Sequence, residues 1–181
     1  MFAKLFPTLF TILLFLGVHS VSVAGIPHAV ARKNTARDIP SLTEWSQTVI
    51  GNLFEATNQS DFESAIVNYL AATTERIIID GEELTRQQYI DRLHNSRSTF
   101  TSAKIQWIGS VELQGDDGDE TSGVVGLFFT VDIIDPSTGS STPTETATCA
   151  FNLKIAQDPT LTDDDSRRVI QLNTVYTRVQ N

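Results

Sequence analysis

The stretch that decides the fold runs from Ile77 to Asn95 and reads Ile-Ile-Ile-Asp-Gly-Glu-Glu-Leu-Thr-Arg-Gln-Gln-Tyr-Ile-Asp-Arg-Leu-His-Asn. Its β-branched run predicts a strand, and the Asp80-Gly81 pair predicts a tight turn into a very short returning strand. Thr85 and Gln88 form a capping box, in which each side chain accepts a hydrogen bond from the other residue's backbone amide. The stretch therefore predicts a hairpin that leads directly into a helix.

The sequence before this stretch predicts two further helices. Ser41 and Glu44 form a capping box ahead of apolar residues at helical spacing, and Ser60 and Glu63 repeat the same pattern. Asn58 begins an Asn-Gln-Ser glycosylation acceptor sequence in the turn between these helices, which makes it the expected glycan site.

The sequence after this stretch predicts four long strands, at Lys104–Gln114, Val124–Asp135, Thr144–Gln157 and Arg167–Val179. Apolar and polar residues alternate along them with the period of two that a half-buried strand requires. In the first strand, this period places Ile105, Trp107, Val111 and Leu113 on one face.

Three helices followed by an antiparallel sheet indicate an α+β protein with the helices on one face of the sheet. The order of elements from Ser41 to Gln180, with Ile77–Gly81 and Leu84–Ile90 at its centre, resembles the NTF2-like superfamily and its SnoaL-like members. The resemblance implies a cone, in which a strongly curved antiparallel sheet wraps three N-terminal helices and leaves a pocket at its open end. It does not imply one function, because the superfamily includes ketosteroid isomerases, dehydratases, cyclases and non-catalytic binding proteins.

Residues 1–24 have the pattern of a cleaved signal peptide, with Lys4, an apolar run from Leu5 to Val18 and small residues at Ser22 and Ala24. A membrane anchor is the alternative, but the run is shorter than the ~20 residues that span a bilayer. Residues 25–40 show no periodicity and are predicted to be a flexible tail or a pro-segment. The folded domain is then 41–181, and the protein is predicted to be secreted and extracellular, with no membrane contact after the leader is cleaved.

Charge and composition exclude several partners and cofactors. The chain has 22 acidic against 13 basic residues, a net charge of −9, which disfavours binding to nucleic acids and to anionic membranes. Cys149 is the only cysteine, so no internal disulfide can form, and it is predicted to be a buried small hydrophobe. His94 is the only histidine after residue 40, and the acidic run Asp116–Glu120 lacks the spacing of a calcium loop. We therefore predict no metal site and no cofactor.

Two acid–base candidates follow from what the resemblance implies about catalytic members. Asp132 would be a base if its strand face lined the pocket, whereas the more apolar opposite face, Leu127 to Ile133, is the better candidate for the core. His94 would pair with Asp91 or Asp80, and the alternative is a solvated helix end. Tyr69 or Tyr89 would then supply a hydrogen-bond donor.

Four aromatic residues are the candidate ligand-binding set: Trp45, Tyr69, Tyr89 and Trp107. They would line one pocket, or alternatively form part of an ordinary core. The leading hypothesis is a secreted, non-catalytic protein that binds a small apolar ligand in the cone. One alternative is an isomerase, dehydratase or cyclase that acts on a polyketide- or terpenoid-like substrate.

The other alternative is a protein-interaction module. The resemblance implies that outer sheet faces of this kind pair in homodimers, and here that face would carry small and weakly polar residues: Gly126, Phe128, Thr130, Thr144, Thr146 and Thr148. Simple solvent exposure of the same face is the competing interpretation.

Overall fold

A computed structural model describes residues 39–97, 102–116, 119–134, 142–162 and 165–180 of the chain. The predicted signal peptide and nearly all of the predicted tail lie outside these residues. The helices are α1 (Leu42–Glu55), α2 (Gln59–Tyr69) and α3 (Arg86–Arg97), and the strands are β1 (Arg76–Ile79), β2 (Glu82–Leu84), β3 (Ser102–Gln114), β4 (Gly123–Ile134), β5 (Glu145–Gln157) and β6 (Arg167–Gln180).

The first and third helices begin as their capping boxes predict. The Ser41 hydroxyl accepts a hydrogen bond from the Glu44 amide at 3.1 Å, and the Glu44 carboxylate accepts one from the Ser41 amide at 3.1 Å. At α3, the Thr85 amide donates to Gln88 Oε1 at 2.8 Å, and the Gln88 amide donates to Thr85 Oγ1 at 3.2 Å. Both boxes satisfy backbone donors that the first helical turn leaves without partners.

The second helix begins earlier than the Ser60 box predicts, because a different residue caps it. Asn58 Oδ1 accepts from the Asp61 amide at 2.9 Å, while Asn58 Nδ2 donates to the Asp61 carboxylate at 2.7 Å. The helix therefore starts at Gln59. Asn58 is exposed, and its glycosylation stays a prediction.

The Asp80-Gly81 turn forms as predicted and also fastens the hairpin to the sheet. Asp80 and Gly81 have positive φ angles of 52° and 84°, as a type I′ hairpin turn requires. The Asp80 amide donates to the Thr174 carbonyl at 2.8 Å, and the Asp80 carboxylate accepts from the Tyr176 amide at 3.0 Å. The turn thus joins β1 to the far end of the chain.

The strands form one six-stranded sheet in the order β2-β1-β6-β5-β4-β3. The four long strands pair antiparallel, as predicted, but β1 runs parallel to β6, with Ile77 opposite Leu172. The sheet is therefore mixed rather than purely antiparallel. The reason is topological: after α3 the chain enters the far edge of the sheet at β3 and returns strand by strand, so that β6 arrives beside β1 in the same direction.

The prediction that Val111 and Leu113 share a face with Ile105 and Trp107 is wrong. A bulge between Trp107 and Gly109 shifts the register of β3 against β4, so the alternation changes phase. Val111 and Leu113 are consequently each 70% exposed on the outer face of the sheet.

Glu112 turns inward in their place. Its carboxylate accepts a hydrogen bond from the Thr43 amide at 2.8 Å, in the first turn of α1. An acidic group at a helix N-terminus is favourable because of the helix dipole.

The core lies between the helices and the inner face of the sheet. As predicted, the inner face of β4 is the phase that contains Leu127, Phe129, Val131 and Ile133, all buried. Phe129 is central to the core, with its ring centroid 4.9 Å from that of Trp107 and 5.0 Å from that of Phe151. Cys149 is buried with a free thiol, also as predicted.

Candidate functional site

A pocket of about 120 Å³ opens between the helices and the inner face of the sheet. Its sheet wall consists of inward-facing residues at alternate positions of the strands: Ile79, Ala103, Val131, Ile133, Ala147, Cys149, Phe151, Thr174, Tyr176 and Arg178. Its helical wall is formed by side chains of α1 to α3 and one residue just after α1: Leu53, Phe54, Ala56, Phe62, Tyr89, Arg92, Leu93, Ser96 and Arg97. The described lining is predominantly apolar, as is typical of small-molecule sites.

The inner part of the pocket holds a small number of polar groups. The Thr174 side chain is buried, and its hydroxyl has no hydrogen-bond partner among the described residues. Burial raises the pKa of the Cys149 thiol to about 11, with the Arg178 charge partly opposing the shift. A thiol with this pKa is protonated at neutral pH and is a poor nucleophile.

Tyr89 lines the pocket and is buried, and Tyr69 lies behind it, outside the lining. Burial raises the pKa of both hydroxyls, and the neighbouring tyrosine raises the pKa of Tyr69 further. The two hydroxyls interact, but the Tyr69 hydroxyl has no partner with full hydrogen-bond geometry in the described part of the chain. Both side chains are therefore neutral donors at physiological pH.

Three arginines lie where the pocket meets solvent. Arg92 Nη2 lies 2.8 Å from the Glu82 carboxylate, and this hydrogen bond raises the pKa of Arg92. Arg178 Nε lies 3.3 Å from the Glu145 carboxylate, and its guanidinium lies over the Tyr176 ring. The described lining contains no aspartate or glutamate.

Arg97 differs from the other two arginines in its contacts. It donates to the carbonyl of Ala56, and its guanidinium carbon lies 4.8 Å from the Phe62 ring centroid. Within the described ranges, no carboxylate pairs with it.

Of the four aromatic candidates, the structure brings only Tyr89 into the pocket. Trp45 is buried beneath Arg167, with the guanidinium carbon 5.5 Å from its ring centroid. Tyr69 is fully buried in the core, and Trp107 packs on Phe129. These three residues support the walls of the cone without lining its pocket.

Neither acid–base candidate lines the pocket. Asp132 lies on the outer face of β4, where its carboxylate accepts hydrogen bonds from Thr146 at 2.9 Å and from Gln106 at 3.1 Å. His94 lies 3.5 Å from the Glu63 carboxylate rather than beside Asp91 or Asp80, and its ring meets Phe62 edge-on.

The described residues contain no cluster of three or more His, Cys, Asp or Glu side chains that could hold a metal ion. In the acidic run 116–120, of which 117 and 118 lie outside the described residues, the Asp119 carboxylate accepts bonds from Thr121 and Ser122, and these lower its pKa. Among the helices that the structure describes, none is long and apolar enough to cross a membrane.

Sequence reasoning missed the three arginines and Thr174. Thr174, Tyr176 and Arg178 alternate with the period of a strand, in phase with the buried Leu172, and this signal places them on the inner face. No equivalent signal marks Arg92 and Arg97, because α3 is polar on most of its surface and buries only Tyr89.

Comparisons with known proteins agree on the architecture. No protein-family model matches the sequence, and the comparison with curated proteins finds no match. The crystal structure of the Candida albicans Mtr2–Mex67 M domain complex is similar, with 12% identity, a TM-score of 0.50, and coverage of 77% of this chain and 96% of that one. The Kfla4162 protein from Kribbella flavida has 9% identity, a TM-score of 0.53, and coverage of 76% and 92%.

An NTF-2 like protein from Pseudomonas aeruginosa has 10% identity and a TM-score of 0.49, over 75% of this chain and 94% of that one. At these identities the similarity concerns the fold alone. The three helices, the six-stranded sheet and the similarity to the Mtr2–Mex67 and Kfla4162 structures show the α+β cone fold that the sequence predicts, which is the NTF2-like fold.

Proposed function

We propose that this domain is a non-catalytic binding protein whose pocket encloses a small apolar molecule. The observation that carries the proposal is the composition of the described lining, which is apolar apart from a few buried polar groups and the arginines at the mouth. A proton-transfer enzyme needs a titratable group within reach of its substrate. Asp132 and His94 both lie outside this pocket, so they give a catalytic role no support.

We also propose that the protein is secreted, on the basis of the leader pattern in residues 1–24. N-terminal sequencing of the protein recovered from the culture medium tests this directly. A chain that begins after Ala24 would support the proposal. A chain that is retained in the cell with Met1 or its neighbours at the N-terminus would contradict it.

The ligand-binding proposal can be tested with ethylbenzene, a neutral apolar probe of one aromatic ring. We expect it to shift the NMR resonances of the methyl groups of Ala147 and Val131, which line the pocket. Ala147→Leu fills part of the cavity and should abolish these shifts. The matched control is Ala150→Leu, because Ala150 lies on the opposite face of the same strand, next to Phe128 in the register.

Loss of binding in both variants, or in neither, would contradict the proposal, provided that both variants remain folded by circular dichroism. Shifts that appear only at outer-face residues would also contradict it, since they would place the probe outside the pocket.

A second candidate function is self-association through the outer face of the sheet. Seven apolar side chains on β3, β4 and β6 are exposed there: Ile108, Val111, Leu113, Val124, Phe128, Val175 and Val179. The register places Phe128, Ala150 and Val175 side by side across β4, β5 and β6. Exposed apolar groups concentrated on one face are typical of an interaction surface, and the same face on two copies would be self-complementary about a twofold axis.

The Mtr2–Mex67 structure supports this candidate in one respect, because it shows that a protein of this fold forms a complex. Light scattering coupled to gel filtration would measure the mass in solution. We expect a dimer that Phe128→Lys converts to a monomer, whereas Val67→Lys, a change at an exposed apolar residue of α2, leaves the dimer intact. A monomeric wild-type protein at high concentration would rule the dimer out.

A further inference from the structure

The charge at the pocket mouth is positive, opposite in sign to the net charge of the chain. The full sequence has a net charge of −9, yet the described pocket lining has three arginines and no acidic residue. Arg92 and Arg97 come from α3, and Arg178 comes from β6 on the other side of the mouth. This convergence from two distant parts of the chain places cationic donors around the entrance of an apolar cavity.

The arginines keep capacity for a further anion. Each guanidinium has five N–H donors: Arg92 donates one hydrogen bond to the Glu82 carboxylate, and Arg178 lies 3.3 Å from the Glu145 carboxylate without a hydrogen bond to it. Arg97 contacts only a neutral carbonyl and an aromatic ring among the described residues. Among the described residues, Asp80 adds a third carboxylate that acts on Arg92, so three carboxylates lie near the three arginines, but none of them pairs with Arg97. The Arg97 charge is therefore left for a ligand, and a monoanion matches this single charge, whereas a phosphate dianion would also face the flanking carboxylates.

The inner end of the pocket offers one hydrogen-bonding position. Thr174 is only 2% exposed, lines the pocket, and has a hydroxyl with no partner in the part of the chain that the structure describes. Thr174 and Arg178 are four residues apart on the same face of β6, which separates their backbones by about 13 Å. An unsatisfied buried hydroxyl is unfavourable, so a ligand oxygen at this depth would bind there.

The cavity size limits the apolar part of the ligand. Its volume of about 120 Å³ is close to that of engineered apolar cavities of ~150 Å³ that hold one benzene molecule. One ring, or a short acyl chain of similar volume, therefore fills the enclosed part.

We infer that the pocket takes an aryl or short acyl monocarboxylate, with its apolar body in the cavity, its carboxylate on Arg97 and the flanking arginines, and an oxygen substituent at the far end on Thr174. This inference rests on the proposed function, because it assigns the ligand class of the same pocket.

Titration calorimetry with hydrocinnamate and its neutral near-isostere hydrocinnamamide tests the carboxylate. The two probes share the same ring and linker, so they differ mainly in charge. A hydrogen bond to a charged group predicts that hydrocinnamate binds about tenfold more tightly than the amide. The para-hydroxylated hydrocinnamate should bind more tightly again, because its hydroxyl reaches Thr174, and Thr174→Val should remove this gain.

Variants of Arg97 test whether the preference for the carboxylate arises at the pocket mouth. Arg97→Gln removes the charge but keeps an amide that can donate to the Ala56 carbonyl, and it should bring hydrocinnamate to the affinity of the amide. Arg97→Lys should keep part of the preference. Arg76→Gln is the matched control, because Arg76 is an exposed arginine of β1 that pairs with Glu83 away from the pocket; it should change nothing.

The ionic strength gives a readout that does not depend on a variant folding. Raising the salt from about 0.01 M to about 1 M shortens the screening length from about 30 Å to about 3 Å, so hydrocinnamate should bind more weakly while hydrocinnamamide does not. Equal affinities for the two probes would overturn the inference and leave the apolar pocket intact. Failure of both probes while ethylbenzene binds would also overturn it, and failure of all three would overturn the proposed function itself.

Discussion

The pair formed by Arg167 and Asp165 gives the sharpest test of what holds the N-terminal end of the domain to the sheet. The Arg167 side chain is 2% exposed and that of Asp165 is 46% exposed, with Arg167 Nη2 and Nε 2.7 and 2.8 Å from the two carboxylate oxygens. Arg167 also donates to the Pro40 carbonyl at 2.8 Å and lies over the Trp45 ring. It therefore joins β6 to the residue before the α1 cap.

Asp165→Asn leaves the buried guanidinium without its counter-charge. Breaking a fully buried pair costs about 3–5 kcal/mol, and the half-exposed carboxylate reduces this to about 2 kcal/mol. Arg167→Met removes the buried charge but keeps an apolar stem on Trp45. In the double variant the charge penalty is gone, so the two losses should not add, and the coupling should be about 1–2 kcal/mol.

Urea unfolding followed by tryptophan fluorescence measures all four proteins, since Trp45 lies at the site. The Arg167 hydrogen bonds lower the pKa of Asp165 in the folded state. A carboxyl group whose pKa is lower in the folded state than in the unfolded state stabilises the folded protein at any pH above its unfolded pKa of about 3.9. This stabilisation is lost as the pH falls through the folded pKa. The difference between wild type and Asp165→Asn should therefore shrink in that acidic range. Losses that add within error, or a difference that does not change with pH, would refute this account of the pair.

Three further perturbations test the core, a cap and the pocket thiol. Phe129→Ala should lower the free energy of unfolding by about 3–5 kcal/mol, and Phe128→Ala, half-exposed on the other face, by less than about 1 kcal/mol in the same urea assay; similar losses would mean that the two faces of β4 are misassigned. Asn58→Ala should cost about 1 kcal/mol by loss of the α2 cap, so an unchanged midpoint would argue that another residue caps the helix. Alkylation of Cys149 by iodoacetamide should be slow at pH 7 and accelerate as the pH approaches about 11, because burial raises the pKa of the thiol; rapid alkylation of the folded protein at pH 7 would contradict this.

The elements predicted best from the sequence are those whose determinants are local. The Asp80-Gly81 turn and the Thr85 cap depend on backbone conformations and hydrogen bonds that span at most three residues. The predicted start of α2 differs from the observed one by two residues because Asn58 and Ser60 are both good caps, and only the side-chain pair with Asp61 selects Asn58. Local sequence rules therefore identify both possible caps, but only the side-chain contacts in the folded protein show which one is used.

The bulge in β3 shows where alternation fails as a guide. The alternation from Ile105 to Leu113 continues unchanged across the bulge, and Gly109 is the local sign of it, because a glycine inside a strand often marks a bulge. The glycine does not show that the phase changes; that becomes visible only in the register with β4, which is a property of two strands rather than one. Its consequence reaches function, because it turns Val111 and Leu113 outward and thereby helps create the apolar outer face.

The pocket mouth could not be predicted for a related reason. Arg97 and Arg178 are 81 positions apart in the sequence, and they line one pocket only because the sheet brings β6 beside β1, close to α3. The Asp80 carboxylate on the Tyr176 amide belongs to the same junction, and Tyr176 lies between Thr174 and Arg178 on β6. The turn that local rules predict so well therefore also holds the strand that carries both ends of the proposed ligand site. The same contact between Asp80 and Tyr176 thus stabilises the fold and positions the pocket residues of β6. The local sequence predicts the turn, and with it the cone, but it does not show which distant side chains the turn brings to the mouth of the pocket.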